Sequence, residues 1–145
     1  MREIPSRAEY RYETAISTRW MDNDIYGHVN NVAYYSYFDT AANTYLIAEG
    51  GLDIANGSVI GLVVESHCTY HAALAFPQAL IAGVRVDKLG TSSVTYGIAI
   101  FAAGEDRAAS HGHFVHVFVD RATRKPVPIP DALRAALARL LTTDP

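Results

Sequence analysis

The hydrophobic period of this chain changes near residue 27, and that change restricts the folds open to it. Upstream, Tyr10, Tyr12, Thr14, Ile16, Thr18 and Trp20 alternate with Arg11, Glu13, Ser17 and Arg19, the period of two of a half-buried strand. Downstream of Gly27, residues Val32, Tyr35, Phe38, Ala42, Tyr45 and Leu46 recur at three or four, the spacing of one helical face. The junction contains Met21-Asp22-Asn23-Asp24, where Asp and Asn favour a turn because their side chains bond nearby backbone groups. Asn30 or Asn31 is the expected N-cap, its side-chain oxygen accepting from a free amide of the first turn. The helix is expected at about 31 to 48, stopped by Gly50-Gly51.

A loop at 52 to 58, with Asp53, Asn56 and Gly57, leads into four strand-like runs at roughly 59–73, 78–88, 92–102 and 107–119. Leu89-Gly90-Thr91 and Ala103-Gly104-Glu105-Asp106 are short and carry glycine, as antiparallel hairpins require. Pro77 separates the first two runs, since in a strand interior it would remove a ladder hydrogen bond. Arg121 to Pro130 contains three prolines and is expected to be extended. Asp131 is expected to cap a short helix whose Leu133, Leu137 and Leu140 or Leu141 form one face. Strand, long helix, four strands and short helix make an α+β arrangement, with a mainly antiparallel sheet covered on one face by the long helix. One helix cannot also shield the second face and both edges, and unpaired edges are association sites, so a two-fold dimer is expected.

A length of 145 residues, without repeat or linker, fits a single domain over 1–145. The formal charge of −3, with Arg121, Arg124 and Lys125 as only a short basic group, argues against a nucleic-acid or anionic-membrane partner. Cys68 is the single cysteine, so neither an intramolecular disulfide nor paired zinc spacing is present, and a reducing cytoplasm is the expected location. The N-terminal MREIPSRAEYRYE lacks the apolar centre of a signal peptide, and no run approaches the ~20 apolar residues of a membrane span.

Trp20, Asp22, Asp24, Gly27-His28-Val29-Asn30-Asn31, Tyr34 and Tyr35 resemble the signature of hotdog-fold acyl-CoA thioesterases of the 4-hydroxybenzoyl-CoA thioesterase type. That signature has an aromatic, Asp-x-Asp, Gly-His-Val-Asn-Asn and an aromatic-rich helix. The resemblance continues more faintly through VVES at 63–66, Phe76-Pro77, the run at 83–96 and PVPIPDALRAAL at 126–137. It implies a hotdog fold: an antiparallel five-stranded sheet wrapped around one long helix, with a short C-terminal helix. It also implies a homodimer or dimer of dimers, an active site between subunits and an acyl-CoA substrate. The catalytic carboxylate of the family matches Asp24, while Asp22 matches a structural position. Related plant-type acyl carrier thioesterases use Asp-x-Asn-x-His; here Tyr26 replaces that Asn, which leans the match toward the acyl-CoA branch. Thr91-Ser92-Ser93 matches a position near the pantetheine arm, and Gln78 stands where many relatives carry an acid.

The chemistry can be reached from the residues as well. Thioester cleavage needs a nucleophile and donors aimed at the developing oxyanion. A helix N-terminus supplies free N–H groups and about half a positive charge, and the amide of Gly27 or His28 is approachable because glycine carries no side chain. Asp24 could activate water as general base or attack directly to form an anhydride. His28 either faces substrate or anchors the loop. Tyr26, Asn30 and Asn31 stand beside it as substrate-contact candidates, although the asparagines also suit a cap. Glu65 shares a strand face with His67, Thr69 and His71, and is either part of the site across a dimer or solvated. Arg85 and Lys88 are candidates for the nucleotide phosphates.

Some of Tyr34, Tyr35, Tyr37 and Tyr45 should pack against the sheet, others line an acyl pocket or interface. His111 and His113 share one face of the last strand and His116 the other, without a third metal ligand at a recognisable spacing. Cys68 has the parity of Ile60, Leu62, Val64 and Tyr70 and reads as a small core residue. The expected activity is hydrolysis of an acyl or aroyl thioester to free acid and coenzyme A. No metal or cofactor is needed, coenzyme A being part of the substrate. The alternatives are an acyl-carrier-protein thioesterase, an enoyl-thioester hydratase or a non-catalytic acyl-thioester-binding protein.

Overall fold

Five antiparallel strands hydrogen-bond in the order β1-β3-β4-β5-β2: β1 Tyr12–Ser17, β2 Val59–Tyr70, β3 Ala79–Leu89, β4 Ser93–Ala102 and β5 Ser110–Asp120. The helix α1, Ala33–Gly50, lies across one face, and α2, Asp131–Arg139, packs beside it. The computed structural model describes residues 3–142; residues 1–2 and 143–145, the extremities of the expected domain, lie outside the described residues. Among the described residues no helix is long and apolar enough to cross a membrane.

The period-two runs place Ile16, Leu80, Val84, Val86, Tyr96, Ile98 and Phe114 on the face that meets α1, where they form one core with Phe38, Ala41, Ala42 and Leu46. The small Ala41 and Ala42, both fully buried, let the helix axis approach the sheet closely. Part of the opposite face is covered by the N-terminal segment, through Tyr10 packed with Ala99, Phe101 and Ala108. α2 closes the end of α1: the Tyr45 hydroxyl donates to Ala136 O at 2.6 Å. A Cβ on Gly50 would stand 2.7 Å from the Leu133 side chain, so glycine there permits the approach. Gly51, at φ 69°, ends the helix in the left-handed conformation.

Several local expectations are corrected. The first strand covers only Tyr12–Ser17, because Trp20 turns out into solvent at 79 % exposure in a one-turn 3-10 helix. α1 starts at Ala33, and neither asparagine is its N-cap. Instead Val32 occupies that position with no side-chain cap, and Asn30 Oδ1 accepts from the Val32 amide at 3.1 Å in the preceding turn. Asp131 is likewise the first residue of α2, following Pro130 at the N-cap without a side-chain bond. β2 ends at Tyr70, and β5 begins at Ser110. Residues 120–125 reverse tightly, with Arg124 at φ 63° and the Asp120 amide donating to Lys125 O. Only the stretch after Pro126 runs extended alongside β5. A bulge between Val63 and Glu65 flips the parity of β2. Cys68 therefore shares its sheet face with Tyr70 and Val63, and Ile60 and Leu62 take the opposite face.

The turn between β1 and α1 is tied to a buried carboxylate. Asp22, 4 % exposed, accepts from the Tyr37 hydroxyl at 2.8 Å, from the Arg19 amide at 2.9 Å and from the Arg19 guanidinium at 3.0 Å. Its carbonyl accepts from the Asn30 amide at 2.8 Å. Burial pushes the Asp22 carboxyl up, but these donors outweigh it and hold the group below the ordinary carboxylate range.

Removing the Tyr37 hydroxyl leaves a buried carboxylate short of a donor, so Tyr37→Phe should lower unfolding stability by about 1.5–3 kcal/mol in urea titrations. A depressed folded-state pKa makes the Asp22 contribution complete above the ordinary carboxylate value of about 4 and lost as pH falls through the lowered folded value. The stability gap between wild type and Tyr37→Phe should accordingly narrow as unfolding is measured at successively lower pH through that window.

Candidate active site

The loop that follows Asp22 closes on itself. The Asp24 amide donates to His28 O at 2.9 Å and the Gly27 amide to Asp24 O at 3.0 Å, while Asp24 Oδ1 accepts from the Tyr26 amide at 2.9 Å. Gly27 adopts φ 84°, the left-handed region that a side chain would strain. No atom lies within 4 Å of the place where its Cβ would be, so the approach to its peptide is open. His28 is exposed, and its N–H donates to no acceptor among the described residues.

The loop is clamped from the far side by the segment after β2. The Val29 amide donates to Leu74 O at 2.7 Å, Asn23 Oδ1 accepts from the Phe76 amide at 3.0 Å, and Trp20 meets the Phe76 ring edge-on at 6.0 Å. Gln78, in place of the acid, caps this segment by accepting the Ala75 amide through Oε1 at 2.8 Å. Beyond the loop, α1 begins with its first turn uncapped by any side chain, so the positive end of its dipole faces the same region.

An open cleft of about 340 Å³ lies there, lined by His28, Val29, Asn31, Tyr34, Tyr70 and His71, with Ala72 and Ala73. Tyr70 spans it, donating its hydroxyl to Asn31 O at 3.0 Å and meeting Tyr34 edge-on at 5.0 Å. Burial pushes the Tyr34 phenol up to about 12 and raises that of Tyr70, so both are neutral hydrogen-bonding groups near neutral pH. His71 Nε2 is 2.8 Å from His111 Nδ1. The sequence places Tyr70 and His71 only as strand neighbours of Cys68 and Glu65 and not at the cleft; their signal is a Tyr-His pair where the β2 run ends.

The structure therefore brings Asp24, Gly27, His28 and Asn31 to one loop and helix start, with Tyr26 exposed at the loop tip and Asn30 holding the turn. Other candidates stand elsewhere in the same protomer. Glu65 lies on the sheet face away from α1, its carboxylate 2.9 Å from His113 Nε2. Thr91 and Ser92 occupy the β3–β4 turn and Ser93 opens β4, at the other end of β3 from Ala79, which pairs with Ser17. An 11-residue strand separates those ends by about 33 Å. The turn is held by Arg134, which donates to Thr91 O at 3.1 Å, and by the Phe118 amide on Ser92 O at 2.8 Å. Arg85 is engaged by Asp87 and Glu9 and lies over the Tyr10 ring.

The Cys68 thiol is pushed up by burial, which disfavours the thiolate a cysteine nucleophile needs. His67 and His113 stack at 5.0 Å on the outer sheet face, with His116 buried on the inner face. No three side chains of metal-ligating type converge on one point among the described residues.

Residues 18–137 match the Thioesterase-like superfamily. The crystal structure of a protein from Pseudomonas aeruginosa strain PAO1 superimposes with a TM-score of 0.96 at 57 % identity, covering 97 % of this chain and 99 % of that one. A structure of a thioesterase superfamily protein from Jannaschia sp. CCS1 gives 0.80 at 27 % identity, with 93 % and 91 % coverage. A 1,4-dihydroxy-2-naphthoyl-CoA thioesterase from Synechocystis shares the fold at a TM-score of 0.79 and 16 % identity, with 89 % and 96 % coverage. Among curated proteins none matches significantly. The five-stranded antiparallel sheet, the long helix across it and the short C-terminal helix are those of the hotdog thioesterase fold, and the chain belongs to the thioesterase-like superfamily.

Proposed function

We propose that this protein is an acyl-CoA thioesterase of the 4-hydroxybenzoyl-CoA thioesterase type, acting in the cytoplasm on an acyl or aroyl thioester. The observation that carries the reading is the closed loop before α1, in which the Asp24 backbone bonds the Gly27 amide and the His28 carbonyl, so that one short turn holds both this carboxylate-bearing residue and the exposed Gly27–His28 peptide. Thioester hydrolysis requires a base or nucleophile and an oxyanion donor held together in this way.

The thioester oxygen accepts from the His28 N–H, with the uncapped helix start adding its positive potential. Asp24 then takes a proton from water as the water oxygen bonds to the carbonyl carbon, or adds its own carboxylate oxygen to give an anhydride that water later opens. In either route the C–S bond breaks, the electron pair leaves with sulfur, and the thiolate is protonated. The net reaction consumes one water and yields an acid and the free thiol. Coenzyme A enters as part of the substrate, and no metal or redox group takes part.

Asn31 and Tyr26 border the approach to the loop, and Asn30 supports it. β2 is a 12-residue edge strand with its outer side unpaired in the sheet, and Val63 and Val64 are 47 % and 59 % exposed. Such an edge favours pairing with a second copy. In the homodimer, or dimer of dimers, a partner would supply Glu65 and Thr91-Ser92-Ser93, which stand apart from Asp24 within one protomer.

Asp24→Asn should lower kcat for acyl-CoA hydrolysis by about 10²–10⁴, with circular dichroism and elution volume unchanged. Thiol release followed colorimetrically over short, medium, long and aromatic acyl-CoAs, together with carrier-protein thioesters, reads the effect. Full activity in the Asp24→Asn protein would overturn the assignment.

A further inference from the structure

A second cavity, also about 340 Å³, lies between α1 and the first half of β2. It is lined by Leu52, Ile54 and Val63, by the 60–62 stretch, whose Ile60 and Leu62 side chains take the other face of the sheet, and by three polar residues, Asp39, Asn43 and His116, of which Asp39 is exposed. His116 is 1 % exposed. Its Nδ1 is 3.1 Å from the Tyr96 hydroxyl, and no hydrogen bond engages its Nε2 among the described residues. Burial lowers the imidazole to about 4, so it is neutral. If the Tyr96 hydroxyl donates to Nδ1, Nε2 carries the ring proton and is a donor.

Asn43 holds the Asp39 carboxylate through its amide at 3.0 Å, and Asp39 lies near enough to Tyr96 to add to the burial that keeps that phenol protonated. Gly61 keeps the space open, since a Cβ there would come within 3.4 Å of the imidazole. A buried neutral donor and an exposed carboxylate acceptor on the same space suit a group that both accepts and donates. That group is a hydroxyl.

The cavity and the active-site cleft share one ridge of α1 and the turn before it. Asn31, Tyr35, Asp39 and Asn43 follow at steps of four, Asn31 lining the cleft and Asp39 and Asn43 the cavity. Tyr35 between them is half-buried and interacts with Tyr70. Eight residues separate Asn31 from Asp39, about 12 Å along a helix. A zig-zag chain of roughly ten carbons, with C–C bonds of about 1.5 Å, is long enough to cover the distance from Asn31 to Asp39.

We infer that this cavity is the distal acyl subsite and that Asp39, Asn43 and His116 select a medium-chain acyl thioester bearing a hydroxyl near its far end. The inference rests on the thioesterase reading above and specifies the substrate of that site. The hydroxyl oxygen accepts from His116 Nε2, and its proton goes toward the Asp39 carboxylate. A plain alkyl end would leave the buried His116 Nε2 donor against hydrocarbon, which is the origin of the selectivity, while the exposed Asp39 keeps access to water.

The test compares kcat/KM for decanoyl-CoA and 10-hydroxydecanoyl-CoA, alongside calorimetric binding of the two free acids, which reads the cavity whether or not turnover occurs. Wild type should favour the hydroxylated member by about tenfold or more in both measurements. Asp39→Leu/Asn43→Leu, whose side chains lie on the helix surface side of the cavity, should bring that ratio to about one. Gly61→Val should weaken binding of both acids by narrowing the space. Equal handling of the two compounds by wild type, or a preference that survives in the double variant, would overturn the subsite. Loss of the parent reading is separate: it would show as no thiol release from any acyl-CoA while the hydroxy-acid still binds preferentially.

Discussion

The loop that carries the proposed chemistry depends on a charge that faces away from it. Asp22 sits beneath the turn, and its carboxylate collects the Tyr37 hydroxyl together with the backbone and side chain of Arg19. Tyr37 belongs to α1 and Arg19 to the exit from β1, so one buried group fixes the helix relative to the strand. Its carbonyl then takes the Asn30 amide, returning the chain to the base of the turn. A buried carboxylate is tolerated only when such donors replace the water it has lost. Once those contacts are made, Asp24 to His28 can form a short closed loop whose position is inherited from the core.

The second clamp comes from remote sequence. Leu74 and Phe76 bond the loop backbone and the Asn23 side chain, and Tyr70 reaches across to Asn31. Tyr70 ends the edge strand β2 and Leu74 and Phe76 follow it, so the geometry of that edge reaches the cleft. The bulge between Val63 and Glu65 divides β2 into two halves of opposite parity. In the second half it directs Cys68 and Tyr70 inward and Glu65 and His67 outward. In the first half it turns Gly61 and Val63 toward the helix, beside His116. The same irregularity thus shapes both the cleft and the cavity farther along α1.

Much of this was legible in the sequence because the relevant signals are local. Alternation marked the strands, the i, i+4 recurrence marked α1, and glycines marked the hairpins and helix end. Asp22 as turn-former and Gly27 as the open peptide follow from residue chemistry. Errors arose where side chains had alternatives at short range. Asn30 caps the turn before the helix because its side chain reaches the Val32 amide there, and Trp20 breaks the alternation because the chain has already left the sheet. The parity assigned to Cys68 failed because a bulge inserts one residue without changing composition. Tyr70, His71, Asp39, Asn43 and His116 could not be grouped at all, since their proximity is created by strand pairing and by the packing of α1.

By itself the sequence determined the element types, their order and the chemistry held within a few residues of Gly27, because these depend on backbone preference and short-range periodicity. The tertiary structure decided that β1 pairs with β3 while β2 takes the far edge beside β5. It also decided that Glu65 and the 91–93 turn stand apart from Asp24, and that polar residues from a helix and an inner strand meet around one apolar space. Those outcomes depend on which faces are buried against each other, and burial is a property of the assembled core that no short window of sequence contains.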